Sequence, residues 1–402
     1  MRMICVIGAG IVGMTTAYML HQAGHKVTVI SRDNQVGMGA SRTNAMQLCY
    51  GTIAPFAGWG DIKKYSRYLM HSDRRSPVYM RQDYSFSLLK FYILAGLTAM
   101  PPYFKRARDQ LYEMAQVSRK EVEAFIGRHP EIDFHYKQTG KIKIYDNDTS
   151  RAATERDFAD LNKRYGARMQ VLDSDEVYGL EPSFKARKKK IAWGTFEPDN
   201  ASASSGVLCQ KLHDYLSASD RYRFIGGAKI EDFEIYSGRI SKLMLADCDI
   251  SAHDYVMAAG AGSVHLLKQL DISIPLVPIQ GYSFTLENDP FRFKSCFSDV
   301  DNKFAMNSYN GHLRISGLMD FTGFSAEIIP ERVAYLRQKI TENYDGLNLD
   351  GAEVRTGLRP VMAQSLPLVA RHTYNNLYLN TGHGVYGWTL AFASAAKVSE
   401  LI

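Results

Sequence analysis

Ile4-Cys5-Val6-Ile7-Gly8-Ala9-Gly10-Ile11-Val12-Gly13 decides how this chain begins to fold. Four apolar residues in a row have the form of a strand buried on both faces. The glycines follow at G-x-G-x-x-G spacing, and a helix-like stretch then runs to about Gln22, with Val12, Thr16, Met19, Leu20 and Ala23 on one face. Gly24 closes that stretch, and Val27-Thr28-Val29-Ile30 supplies a second strand. In a strand–turn–helix of this kind Gly8 permits the tight turn, Gly10 lets backbone approach a pyrophosphate, and Gly13 allows close helix–strand packing. The helix N-terminus offers unpaired N–H groups and a positive dipole end to the phosphates. Gly8, Ala9, Gly10, Ile11, Val12 and Gly13 are therefore expected to hold a dinucleotide. The second strand ends Ile30-Ser31-Arg32-Asp33, with Ser31 where an acid would bind the ribose hydroxyls. Ser31 and Arg32 join the binding set, and a Ser-Arg pair also suits the 2′-phosphate of NADP.

The rest of the composition narrows the class. At 402 residues the chain exceeds a single core and is expected to form two domains. Hydrophobic content of 46% and charged content of 22% are those of an ordinary globular protein. No apolar run reaches the roughly 20 residues of a membrane-spanning helix, and a strand begins almost at once, so no leader segment is expected. Five cysteines without C-x-x-C spacing argue against a disulfide framework or zinc site; no metal is expected, and a reducing, cytoplasmic compartment is. Net charge is a mild +6, but Asp61 to Arg108 carries ten Lys/Arg against three Asp/Glu, among Tyr65, Tyr68, Tyr79, Tyr84, Tyr92 and Tyr103. Such a segment is a solvated, Tyr-rich surface or a peripheral contact with the inner face of an anionic membrane. No nucleic-acid-binding module accompanies the charge.

Gly39-Ala40-Ser41-Arg42-Thr43-Asn44-Ala45 follows the second strand. Here the sequence resembles FAD-dependent enzymes of the D-amino-acid dehydrogenase and glycine oxidase superfamily, and bacterial D-amino-acid dehydrogenases most. The resemblance recurs at Tyr178-Gly179-Leu180-Glu181-Pro182, Val256-Met257-Ala258-Ala259-Gly260, Pro278-Ile279-Gln280-Gly281-Tyr282-Ser283, Thr356-Gly357-Leu358-Arg359-Pro360 and Leu379-Asn380-Thr381-Gly382-His383-Gly384-Val385-Tyr386-Gly387-Trp388-Thr389. It implies FAD, with Ala40, Ser41, Arg42, Asn44, Ala45, Ile230, Ala259, Gly260 and residues Gly382, His383, Gly384, Val385, Tyr386, Gly387, Trp388 and Thr389 around it. The last segment is legible unaided. A strand ends in a glycine-rich turn and opens a helix whose positive end suits the negative charge of a reduced flavin. A second such helix start fits a flavin ring and has no evident use for NADP alone. The expected architecture is α/β plus α+β, a Rossmann-like FAD-binding domain interrupted by an antiparallel-sheet substrate domain. Its limits are 1–62, 150–262 and 353–402 for the first and 63–149 and 263–352 for the second.

The resemblance implies hydride transfer from the Cα–H of a D-amino acid or related small amine to flavin N5. A bidentate arginine is the natural clamp for the substrate carboxylate, and Arg359 is the first choice. His383, between two glycines, and Tyr282 and Tyr386, as pocket walls, complete the catalytic candidates. Cys49 follows the flavin-lining segment. Several family features are changed: Ser308 stands where many members carry a carboxylate-gripping Arg, Gln280 replaces a Lys, and Met362-Ala363-Gln364-Ser365-Leu366-Pro367 replaces T-P-D-G-x-P. These changes leave two other readings open, oxidation of an N-substituted amino acid (a secondary amine) and a flavin-binding subunit, held by a partner, without its own turnover. The electron acceptor, quinone or O2, is not written in the sequence.

Overall fold

A computed structural model describes residues 1–56, 58, 73–81 and 86–402. Tyr65, Tyr68, Tyr84 and the expected domain limit at 62/63 lie outside the described residues. Met3–Ile7 is the centre of a six-stranded sheet ordered Leu368–Arg371, Leu377–Thr381, Asp254–Met257, Met3–Ile7, Lys26–Ile30, Tyr222–Ile225. All neighbours are parallel except the first pair. The unbroken apolar run at residues 4–7 now has its cause. Ile4 and Val6 enter one core, packed under helices Ile11–Gln22, Ser205–Ser217 and Gly387–Leu401, while Cys5 and Ile7 enter another beneath the meander Ile230–Tyr236, Arg239–Leu245, Asp249–Ile250. Helix Ile11–Gln22 is buried on nearly every side, including Thr15, Thr16 and His21, rather than on the single stripe expected. It lies against helix Gly387–Leu401, where Thr15 Oγ1 donates to Ala391 O at 3.3 Å, and Asn380 Nδ2 of strand Leu377–Thr381 donates to Thr16 Oγ1 at 2.9 Å.

The second layer is a nine-stranded mixed sheet. Eight strands run in the order Glu353–Met362, Leu276–Leu286, His312–Phe321, Phe304–Tyr309, Cys296–Asp299, Lys141–Tyr145, Trp193–Glu197, Gln170–Asp173, and Val78–Met80 pairs with the third. Two pairings are parallel and the others antiparallel, in keeping with the antiparallel-sheet layer expected. Because side chains alternate across a strand, register sorts its two faces. Ile142, Ile144, Tyr282, Phe284, Phe297, Met306, Leu313 and Ile315 point to one side and form an apolar core with Leu336 and Ile340 of helix Pro330–Asn343. Polar and basic residues occupy the other side.

The domain limits differ from those expected. Helix Pro101–Arg128 was grouped with the substrate domain, yet Leu111, Tyr112, Ala115, Val122 and Phe125 bury it in the core of the nucleotide unit. Strands Gln170–Asp173, Trp193–Glu197 and Glu353–Met362, grouped with the nucleotide unit, belong to the large sheet. Helical periodicity shows that a face is apolar without showing which partner covers it, and short strands carry no mark of the sheet they join.

Candidate active site

The turn after Met3–Ile7 is built by contact with the neighbouring strand. Gly8 has φ +113°, and a Cβ there would lie 2.4 Å from the Ala258 carbonyl oxygen; a Cβ on Gly13 would lie 1.8 Å from that of Gly8. At Gly10 an added Cβ would meet only Ser41 Oγ, at 3.3 Å, so the space beside this backbone is open. Ser41 Oγ accepts from Ile11 N at 2.9 Å, which joins residues 40–45 to the helix start. Asn44 Nδ2 donates to Ser205 Oγ and its Oδ1 accepts from Met46 N, so Asn44 shapes this bend with protein partners. Ser31 is buried, its Oγ accepts from Asp33 N, and Arg32 projects into solvent. Ala228 N donates to Ser31 O, which brings the approach to Ile230 across the same strand tip. Ala259 and Gly260 follow Asp254–Met257, and Gly260 O accepts from Thr381 Oγ1 at 3.2 Å.

Opposite this helix start, residues 382–389 form the second glycine-rich turn. Gly382 and Gly384 have φ +80° and +58°, and helix Gly387–Leu401 begins without a side-chain cap. Its first-turn N–H groups are thus left for another partner. His383 is buried, pairs with Ser394 Oγ at 2.9 Å and is pushed down to about 3 by burial, so it is a neutral imidazole held inside the fold. Trp388 Nε1 donates to Ala203 O, Thr389 Oγ1 accepts from Cys49 N, and Tyr386 OH accepts from Ala54 N. Val385 is exposed. A cleft lined by Phe56, Val361, Met362, Ser365 and residues 382–386 opens at this turn.

Residues 40–54 run from the nucleotide unit across the polar face of the large sheet and make the roof of a site whose floor is that face. Gly357 meets the roof directly: a Cβ there would lie 2.2 Å from Thr43 Oγ1 and 3.1 Å from Ala40 Cα. Arg42 O accepts from Arg314 Nη1, and Gln47 Nε2 donates to Phe297 O. Pairing places Arg355, Gly357, Arg359, Gly281, Ser283, Thr285, Arg314, Ser316, Asn307, Lys141 and Lys143 on this one face. The Arg359 guanidinium lies over Gly281, whose missing side chain leaves room for it; Nη1 donates to Leu318 O at 3.1 Å, and burial depresses its pKa. At the far end Glu197 accepts from Lys143, Thr52 and Asn200. Burial alone would raise its carboxyl, but Lys143, Lys141 and the Thr52 hydroxyl outweigh burial and hold it at about 2. Lys141 Nζ donates to Cys49 Sγ at 3.4 Å.

Tyr282 does not join this group. Pairing sets it on the opposite, apolar face, near the buried Asp320–Arg332 ion pair, because even-numbered positions of its strand point away from the roof. Arg314, Lys141, Lys143, Glu197 and Asn200 were absent from the sequence-based set. Alternation in Lys141-Ile142-Lys143-Ile144 was the one available signal that two lysines share a polar face.

The chain matches the family model for FAD dependent oxidoreductases, the DAO family, over residues 3–401. It belongs to that family. A D-amino acid dehydrogenase of Chromohalobacter salexigens is 26% identical over 402 residues, covering 99% of this chain and 95% of the relative. One from Neisseria meningitidis serogroup C is 29% identical, covering 99% and 95%. Among solved structures, glycine oxidase from Geobacillus kaustophilus superposes with TM-score 0.76 at 18% identity, covering 100% of this chain and 95% of that one. The DAO-family cofactor is FAD, and the residues present fit it: the open backbone at Gly10 and two helix starts behind glycine-rich turns, the second without a side-chain cap. Among the described residues no cluster of His, Cys, Asp or Glu is placed to hold a metal, and no helix is long and apolar enough to cross a membrane.

Proposed function

We propose that this DAO-family oxidoreductase oxidises an amino acid at its Cα–N bond. The observation that carries the reading is the Arg359 guanidinium, laid over Gly281 on the floor and one strand from the roof segment. FAD, when bound, supplies the two-electron acceptor for the substrate hydride. Arg359 binds and orients the carboxylate by charge-assisted hydrogen bonds. Positioning of this kind is the larger part of what such a site contributes. Neutral His383 adds no charge to the turn, and the N-terminus of Gly387–Leu401 favours negative charge beside it. Gly8 to Gly13 and residues 40–45 hold the dinucleotide. An absorbance spectrum, followed by anaerobic addition of D-alanine, D-arginine and sarcosine, tests the reading. Bleaching by a primary D-amino acid supports it. Bleaching by sarcosine alone assigns the site to secondary amines, the reading motivated by Ser308, and no bleaching with a captured partner assigns it to a binding subunit.

The acceptor is proposed to be a membrane quinone rather than O2. Helix Phe86–Thr98 exposes Leu89, Ile93 and Leu97 at helical spacing, and Met100 and Tyr103 continue the exposed apolar surface. Lys90, Lys105 and Arg106 stand exposed beside them. An apolar stripe with a basic border suits the inner face of an anionic bilayer. Vesicles of phosphatidylglycerol should sediment the protein at low salt and release it at high salt; absence of binding at low salt rejects the contact.

A further inference from the structure

The floor carries a second guanidinium whose partners are incomplete. Arg314 is 8% exposed; Nη1 donates to the Arg42 carbonyl and Nε has no partner among the described residues. Around it stand other buried polar atoms in the same condition: Ser283 Oγ, Thr285 Oγ1, Asn307 Nδ2 and Ser316 Oγ. They form one patch, since Thr285 pairs with Arg314, Arg314 with Asn307, and Ser283 with Ser316. An unsatisfied buried polar group is costly, so a patch of five is explained by a ligand that satisfies it. The orphaned atoms of the patch are two N–H donors and three hydroxyls, none of them acceptor-only. Its natural complement is an acceptor-only group of negative charge, a carboxylate. Nearby acids do not fill that place: Glu353 is bound by Arg355, and Glu197 by Lys143.

This patch is separate from the one at Arg359. The Arg359 guanidinium overlies Gly281, while Arg314 pairs with Thr285, four residues further along the same strand. At about 3.4 Å per residue the interval is about 14 Å. Two hydrogen-bonded contacts of about 2.8 Å and the length of an extended five-carbon dicarboxylate occupy most of it. A two- or three-carbon amino acid held at Arg359 would leave Arg314 Nε without a partner.

We propose that Arg314, with Ser283, Thr285, Asn307 and Ser316, forms a second anion subsite that holds the side-chain carboxylate of an acidic amino-acid substrate while Arg359 holds its α-carboxylate. This rests on the amino-acid reading above, and the test separates the two. The FAD-loaded enzyme is titrated with glutarate and with butyrate, neither of which has an amine to oxidise, and binding is read from the flavin spectrum. Glutarate binds roughly 10- to 100-fold tighter than butyrate, the range for one charge-assisted contact. Arg314→Gln removes that difference and leaves butyrate binding and FAD affinity unchanged. Thr285→Val, close in volume, weakens glutarate several-fold and serves if Arg314→Gln fails to fold. In turnover, kcat/KM for D-glutamate over D-norvaline falls by the same factor in Arg314→Gln, mainly through KM. Equal binding of glutarate and butyrate to the unaltered enzyme overturns the subsite. So does an Arg314→Gln variant that loses FAD affinity or weakens both ligands alike, which would make Arg314 a flavin contact or a structural anchor of the roof. If no amino acid reduces the flavin, the amino-acid reading fails, and selective, Arg314-dependent glutarate binding still supports the anion subsite.

Discussion

Gly357→Ala should separate roof from floor. A Cβ at this position meets Thr43 Oγ1 at 2.2 Å, Ala40 Cα at 3.1 Å and Thr43 Cβ at 3.3 Å, so the segment that reaches the flavin site must retreat by about 1 Å for ordinary contact distances. Overpacking of this kind costs about 1–3 kcal/mol. If the cost falls on the bound geometry, FAD affinity drops by roughly 5- to 150-fold. If it falls on the fold, Tm drops by about 2–4 °C per kcal/mol. Apo protein titrated with FAD, followed by flavin fluorescence, and thermal melts of apo and loaded forms would show which. Thr43→Ala removes the shortest contact and leaves only the two near 3 Å, so the double variant should recover most of the loss. Gly96→Ala is the control: its Cβ meets nothing within 4 Å, and an alanine inside helix Phe86–Thr98 should stabilise by about 0.5–1 kcal/mol. A Gly357→Ala protein with unaltered stability and FAD affinity, or one that Thr43→Ala does not rescue, would refute the contact between roof and floor.

Three further tests address other parts of the site. Gly10→Ala, which faces only Ser41 Oγ, should fold with near-normal apo stability yet bind FAD at least about tenfold more weakly, whereas Gly13→Ala should fail to fold because its Cβ strikes the Gly8 carbonyl; calorimetry with an FAD titration distinguishes them. Glu197, held at about 2 against an ordinary 4.5, contributes stability that is full above pH 4.5 and is lost as pH falls toward 2, at most about 3 kcal/mol. Glu197→Gln should be less stable at pH 7, since Lys143 loses its partner, and its urea midpoint should depend less on pH between 4.5 and 2. His383 is depressed from 6.5 to about 3 by burial, so its neutral form is favoured and stability declines as pH falls from 6.5 toward 3. At pH 4.5 that decline is about 2–3 kcal/mol, and His383→Gln should show a smaller difference between urea midpoints at pH 7 and 4.5.

Much of the nucleotide unit was legible because its signals are local. The G-x-G-x-x-G turn, the strands around residues 4–7 and 27–30, and the helix after Trp388 all announce themselves within a dozen residues, and the observed elements fall within a residue or two of them. The large sheet was legible as strands but not as a surface. Alternation at residues 141–145 and 281–286 gives two faces, and only the register with partner strands elsewhere in the sequence shows which face meets the roof. That is why Tyr282, attractive in its G-Y-S setting, lies in the apolar core, while Arg314, in an unremarked His-Leu-Arg-Ile run, stands on the floor. Buried acids are harder still to foresee: Glu197 sits among Thr, Phe and Pro, and its role comes from Lys143 and Asn200.

The pairing of the first and last helices has a consequence for biogenesis. Ile11–Gln22 leaves the ribosome well before its covering partner, Gly387–Leu401, which is made more than 350 residues later. A helix that buries Ile11, Met14, Ala17, Tyr18 and Leu20 is sticky until it is covered, and contacts this distant in sequence form slowly. Nascent chains should therefore bind a holding chaperone until helix Gly387–Leu401 has emerged, and the cofactor pocket is completed only then.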